Sequence, residues 1–185
     1  QHCPILAHTA GQVGDRQVRH RGTIGGSCAH GDPASDLPTI CVLLDATFVA
    51  QGPSGTRQIA AKDFFVGFFD TALDANEILT AIHVPKTGGA GWSYIKFRQR
   101  ALDWATVGVA AIVNGGAKIA FTNMGHTTLR ASAAEAAFAS GGAAAAAAAA
   151  AEGTDPPSDT WASADFRRHL AQVLTGRALA EAGAK

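Results

Sequence analysis

Residues 17–39 read QVRHRGTIGGSCAHGDPASDLPT, and the interpretation of the whole chain turns on them. The stretch is dense in Gly and Pro, and Val18 and Ile24 are its only large apolar residues before Leu37. Neither the period of a strand nor that of an amphipathic helix persists. It reads as a long ordered loop feeding a helix at Asp36 or Leu37. Gly25-Gly26 lets the backbone approach a ligand with no Cβ in the way. Consecutive N–H groups in such a turn form an anion-binding concavity. The hydroxyls of Thr23 and Ser27 flank the glycines and are suited to donate to phosphate oxygens, and Asp36 is an acceptor suited to sugar hydroxyls or a ring N–H. On pattern alone two readings stay open: a nucleotide-cofactor loop, or a Gly/Pro-rich surface turn with no ligand.

The composition narrows the alternatives. The chain has 185 residues, 47% of them apolar, enough for one large or two small cores. Fifteen basic and fifteen acidic residues balance, and no basic face or arm points to nucleic acid. The alanine run at 143–151 is too short and too weakly hydrophobic to span a membrane, and the start, Gln1-His2-Cys3-Pro4, carries no signal-peptide pattern. The three cysteines, Cys3, Cys28 and Cys41, have no CxxC spacing. They suit a reducing compartment and are too few for the four thiolates of an iron–sulfur cluster. The seven histidines stand singly, so no metal site is expected. No G-x-S-x-G elbow is present, which disfavours a hydrolase.

Outward from the key stretch, Pro4 to Gly11 reads as the tail of a helix. Ser35 or Asp36 caps the next helix, with Pro38 in its first turn. Residues 47–50 and 57–60 form a hairpin across Gly52-Pro53-Ser54-Gly55. Phe64, Phe65, Phe68 and Phe69 fall at helical spacing, as core packing more readily than as a stack on a ligand. Residues 78–84 are a strand. The Gly-rich break at 86–91 then divides residues 1–87 from residues 92–185, which are expected to pack as a separate unit. Beyond it, three antiparallel strands (92–99, 106–113 and 117–122) precede helices at 132–139 and 143–152. A final helix is capped by Ser163, with Phe166, Leu170, Val173 and Leu174 on its apolar face.

Residues 16–38 resemble the second flavin-binding segment of the FAD subunit of molybdenum hydroxylases. That family comprises the medium subunit of aerobic carbon monoxide dehydrogenase and its relatives and the FAD domain of xanthine dehydrogenase. Its pattern is Q-V-R-N-R-G-T-I-G-G-S-x-A-H-x-D-P-A-x-D-x-P. His20 stands where Asn is usual, and Gly31 follows His30. Further similar segments follow in order: DFF at 63–65, EILTAIHVP at 77–85, YIKFRQRALDWATVGVA at 94–110, TNMG at 122–125, DPPSD at 155–159 and FRRHLAQVL at 166–174.

The resemblance implies an α+β fold: the second half of a PCMH-type FAD-binding domain (1–87), then a small antiparallel-sheet-plus-helices domain (92–185). It implies FAD lined by Thr23, Gly25, Gly26, Ser27, His30 and Asp36, with Leu79 and Lys96 as further contacts. A lysine cation near the flavin's pyrimidine edge stabilises the reduced, anionic ring; the bland alternative for Lys96 is a solvated strand lysine. Lys96, Arg98 and Arg100 share strand parity, so they could serve a partner interface instead. The resemblance implies no catalytic residue and no metal in this chain. Molybdopterin and iron–sulfur clusters belong to partners, a molybdenum-containing large subunit and an iron–sulfur small subunit in a hetero-oligomer. The implied location is cytoplasmic, with peripheral attachment at the inner membrane face as a variant.

The family's first flavin segment, an A-G-G-x-S-type loop, has no counterpart here. The chain reads as starting roughly a hundred residues into such a domain, so weak FAD binding is expected of these residues alone. A second class of function, a non-redox docking piece, is distinguished by colour: a flavoprotein is yellow.

Overall fold

A computed structural model of the chain describes residues 2–184. The elements run α1 (Pro4–Gly11), α2 (Arg16–Arg21), α3 (Ile24–His30), α4 (Asp36–Leu43), β1 (Thr47–Gly52), β2 (Gly55–Ala60), α5 (Ala61–Phe64), β3 (Phe65–Gly67), β4 (Asp70–Thr71), β5 (Ile78–His83), β6 (Gly91–Phe97), β7 (Val107–Val113), β8 (Ala117–Thr122), β9 (Leu129–Arg130), α6 (Ser132–Ala149) and α7 (Ala164–Glu181). The strands form three antiparallel sheets, ordered β2-β1-β5, β3-β4 and β6-β7-β8-β9. This is the expected α+β architecture.

Helix α4 is the piece between the sheets. All eight of its residues are buried, as suits a helix that is apolar on every side. Ile40 and Leu43 pack with Tyr94, Ala110, Ile112 and Ala120 of the four-stranded sheet. Cys41 and Val42 pack with Phe48, Ile59 and Phe64 on the other flank. Strand β7, VGVAAIV, is buried on both faces, which is why it reads as a continuous apolar run. Val107, Val109 and Ala111 face a core shared with α6 and α7. Ala110 and Ile112 face α1 and α4.

Several expectations are corrected. The stretch before α4 is two short helices rather than a loop. Asp15 caps α2 by accepting from the Val18 amide at 2.8 Å, and Thr23 caps α3 by accepting from the Gly26 amide at 2.9 Å. Capping and the burial of Cys28 override the poor helix propensity of Gly25-Gly26. The aromatic run does not continue one helix, because α5 ends at Phe64 and the chain turns extended. Phe64 and Phe65 are core, whereas Phe68 and Phe69 are exposed. The sheet expected to have three strands, at 92–122, has a fourth, β9. The two alanine-rich helices form one element, α6, kinked at Gly142 (φ 68°, ψ −159°), a conformation that glycine tolerates. On α7, Leu170 and Leu174 are buried as expected, but Phe166 is exposed and Arg167 takes the inward position. Residues 92–185 do not pack wholly apart, since the core around Ile40 and Tyr94 draws on both sides of the Gly-rich break.

That shared core has a thermodynamic signature. Leu43→Ala is expected to lower stability by about 2–5 kcal/mol within one cooperative transition. Urea unfolding followed by tryptophan fluorescence and by far-ultraviolet dichroism checks it; two separated transitions, with only the first shifted, would contradict the shared core.

Candidate cofactor site

A cleft of about 1100 Å³ opens between α1, α2 and α3 on one side and the end of β6 with its following loop on the other. It stands at the upper end of ordinary ligand pockets, which run to roughly 1,000 Å³. One face of α3 forms part of the wall. Thr23, Gly26, Ser27 and His30 all line the cleft, at positions i, i+3, i+4 and i+7 of one helical face. The opposite face carries Cys28 into the core, where its thiol sits 3.9 Å from that of Cys41. The Cys41 contact and burial push the Cys28 thiol far up, so it stays protonated there. The imidazole of His30 packs on the ring of Phe69 with centroids 4.8 Å apart.

Lys96 closes the wall from the sheet side. Its ammonium donates to Asp36 Oδ2 at 2.7 Å and to the Gln12 carbonyl at 3.2 Å. The side chains of Lys96 and Asp36 are 2% and 4% exposed, so the pair is withdrawn from solvent screening. Among the described residues, two of the ammonium's three donors are thereby used, and Lys96 is one of the residues that line the cleft. The other oxygen of Asp36, Oδ1, accepts from the Tyr94 hydroxyl at 2.5 Å. That hydroxyl lies 3.3 Å from Thr122 Oγ1, which lies 2.7 Å from Thr39 Oγ1. Asp36 is also the first residue of α4, where the helix dipole favours negative charge.

Of the sequence-predicted residues, Thr23, Gly26, Ser27, His30, Asp36 and Lys96 come together in the cleft lining. Gly25 and Leu79 are not among its lining residues. A Cβ built on Gly25 meets nothing within 4 Å. Leu79, opposite Ala50 on β1, packs against the core around Phe48. Asp36 spends both oxygens on Lys96 and Tyr94 rather than standing free as an acceptor.

Other contributors carried no role in the sequence reading. Tyr94 holds Asp36 from inside the core. Gly108 faces both Lys96 and Thr122 in the ladder, and a Cβ there would come within 2.8 Å of the Tyr94 hydroxyl and 2.7 Å of Thr122 Oγ1. A glycine inside a valine-rich strand is the signal that marks such a close approach. Leu102 and Trp104, on the loop after β6, line the cleft while keeping 60% of their surface exposed. Asn123 Nδ2 donates to the Ala105 carbonyl at 2.8 Å, and Arg167 Nη1 donates to that of Thr106, so the end of this loop is tied to the core. Arg167 Nη2 in turn donates to Asp159 Oδ2 at 2.6 Å.

Comparison with known proteins bears on what this cleft is. Residues 1–87 match the family model described as "FAD binding domain in molybdopterin dehydrogenase". Residues 92–182 match "CO dehydrogenase flavoprotein C-terminal domain". The carbon monoxide dehydrogenase medium chain of Hydrogenophaga pseudoflava is 38% identical over 98% of this chain and 68% of its own length. The nicotine 6-hydroxylase medium subunit of Paenarthrobacter nicotinovorans is 33% identical, over 100% and 69%. The solved carbon monoxide dehydrogenase of H. pseudoflava superposes with a TM-score of 0.91 at 42% identity, covering 97% of this chain and 67% of the other. The chain belongs to the family of FAD-binding medium subunits of molybdenum hydroxylases. It is a FAD-dependent oxidoreductase subunit, of the kind that carries electrons from iron–sulfur clusters through FAD to an acceptor, and so a component of a hetero-oligomer. Among the described residues, no helix is long and apolar enough to cross a membrane.

The buried phenol gives a direct test of the site's geometry. Burial, then the charge of Asp36 and its hydrogen bond, push Tyr94 well above the ordinary value of 10.0. A raised folded-state value means that the neutral phenol's contribution is complete below the unfolded value and is lost as pH rises above it. Tyr94 is the chain's single tyrosine, so tyrosinate difference absorbance reports on it alone. The folded protein is expected to show no tyrosinate as pH passes 10, with ionisation arriving only on unfolding. Titration near pH 10 with near-ultraviolet dichroism intact would contradict the burial of this hydroxyl against Asp36.

Proposed function

We propose that this cleft is the chain's share of the FAD site, with residues 1–87 as its flavin-binding part and residues 92–185 as the accompanying domain. The observation that carries the reading is Lys96: a solvent-shielded ammonium, held by Asp36 and Gln12, on a residue that lines the cleft. The donor set fits the cofactor. The α3 face offers hydroxyls at Thr23 and Ser27, an imidazole at His30, and no side-chain bulk at Gly26, which suits the phosphate and sugar portion, with Gly25 beside it off the cleft lining. Lys96 suits the redox ring, because a fixed cation favours the negative charge that accumulates on reduction. Asp36 acts in this reading by holding Lys96, and Leu79 by backing the site from the core.

When bound, FAD supplies the redox chemistry, and the protein positions and tunes it. No residue of this chain is assigned as a catalytic acid or base, and none as a metal ligand. The electrons come from partners, an iron–sulfur small subunit and a molybdenum-containing large subunit, which carry the clusters and the molybdopterin. Substrate oxidation takes place on the large subunit, and the motifs of this chain support a carbon monoxide dehydrogenase type of medium subunit. Exposed Val66, Phe68, Phe69 and Ile78 provide apolar surface available to a partner. The complex works in the cytoplasm.

Two substitutions in the assembled protein test the reading. A Cβ at Gly26 would lie 3.1 Å from Thr23 Oγ1, so Gly26→Val crowds the cap and fills the α3 face. It is expected to reduce FAD retention at least tenfold, a loss of about 1.4 kcal/mol or more. A folded Gly26→Val protein with stoichiometric flavin by absorbance would refute the assignment of α3. Lys96→Met is expected to lower the flavin midpoint potential by about 30 mV or more, the two-electron equivalent of a tenfold change in equilibrium. An unchanged potential in a flavin-loaded Lys96→Met protein would refute the role given to the ammonium.

A further inference from the structure

We propose that Tyr94 is a positioning residue: its phenolic hydroxyl fixes the Asp36 carboxylate, which in turn holds the Lys96 ammonium at the cleft wall. The inference deepens the proposed function and rests on its reading of Lys96. Tyr94 itself is 4% exposed and is not among the residues lining the cleft, so it acts only through its neighbours. It shares a strand face with Lys96, two residues along β6. Asp36 lies across the interface on α4, and its carboxylate is divided between the two: Oδ1 accepts from the phenol, Oδ2 from the ammonium.

The alternative is that Tyr94 is simply a core aromatic beside Ile40 and Leu43. Three features go beyond that. The hydroxyl is not idle: it joins Asp36, Thr122 and Thr39 into one chain of hydrogen bonds spanning β6, β8 and α4. The strand between β6 and β8 gives up a side chain at Gly108, where a Cβ would crowd this hydroxyl and Thr122. A phenylalanine would fill the same apolar volume with no need of either concession. Finally, a buried carboxylate with one oxygen unpartnered would rotate or draw in water. The direction in which it holds Lys96 would then be free to change.

The test reads Lys96 itself. The assembled protein is treated with an amine-reactive reagent, and labelling is followed by peptide mapping, with exposed Lys62, Lys86 and Lys118 as internal references. In the wild-type protein Lys96 is expected to label far more slowly than these three. Tyr94→Phe is expected to raise the Lys96 rate about tenfold or more, the scale set by one hydrogen bond to a charged group. Thr122→Val removes the phenol's other partner while keeping its shape, and is expected to raise the rate by a smaller factor; it serves also if Tyr94→Phe does not fold. Ile119→Val, in the core on the opposite face of the sheet, measures what a loss of stability alone does to the rate. Unchanged protection in folded Tyr94→Phe and Thr122→Val, or an equal rise in Ile119→Val, would overturn the proposal. The flavin midpoint potential separates the two readings. Tyr94→Phe should shift it in wild type and leave it unmoved in a Lys96→Met background. A Lys96→Met protein of unaltered potential counts against the cofactor role of Lys96, whereas the labelling rate judges Tyr94 alone.

Discussion

The ion pair between Lys96 and Asp36 is the interaction to which the rest of the site is fitted. Two charges taken out of water cost several kcal/mol each, and their attraction offsets this only when geometry is good and the remaining hydrogen-bonding capacity is met. Here it is met from several sides. Asp36 has the phenol of Tyr94 and the N-terminal end of α4; Lys96 has the carbonyl of Gln12. The partners come from β6, from the start of α4 and from the residue that follows α1, so the pair forms only when α1, α4 and the four-stranded sheet are already in register. A buried pair is weak evidence for added stability, but it is a demanding condition on geometry. That condition places one ammonium at one point of the cleft.

Helix α4 meets that condition by being buried on every side. Its Ile40 and Leu43 lock onto one sheet and its Cys41 and Val42 onto the other flank. The cleft therefore has walls from residues far apart in sequence, and the Gly-rich break at 86–91 separates them along the chain without separating them in space. Gly108 is a local consequence. The strand that lies between Lys96 and Thr122 has no room for a side chain where the hydroxyl chain passes, so an otherwise valine-rich strand is interrupted by a glycine.

Much of this was readable in the sequence, and the unread parts have physical reasons. The β1–β2 hairpin and the β7–β8 hairpin are marked by β-prone or apolar runs closed by glycine-containing turns, and α4 begins where Ser35 and Pro38 place it. Helices α2 and α3 were hidden because Gly25 and Gly26 lower helix propensity, whereas the decisive signals are caps at Asp15 and Thr23. The spacing of Thr23, Gly26, Ser27 and His30 was itself a helical face. Asp36 and Lys96 were each named, but their pairing across sixty residues is tertiary and leaves no local mark. On α7 the apolar pattern favoured Phe166 over Arg167. An arginine turns inward only because a carbonyl of Thr106 and a carboxylate of Asp159 are waiting for it, and neither is visible from the helix alone.

The weakness of α3 as a helix is relevant to how such a site works. It has seven residues, two of them glycine, each of which costs about 1 kcal/mol relative to alanine. Isolated helices of this length do not persist in water. What holds α3 is the Thr23 cap, the burial of Cys28 and the αL turn at Gly31, while its other face is the cleft. Its local opening must therefore lie toward the low end of the chain's range. Anything bound against that face adds its binding free energy directly to the helix. The small residues that let a ligand approach closely are the same ones that weaken the helix, so cofactor binding and the order of α3 are two sides of one equilibrium.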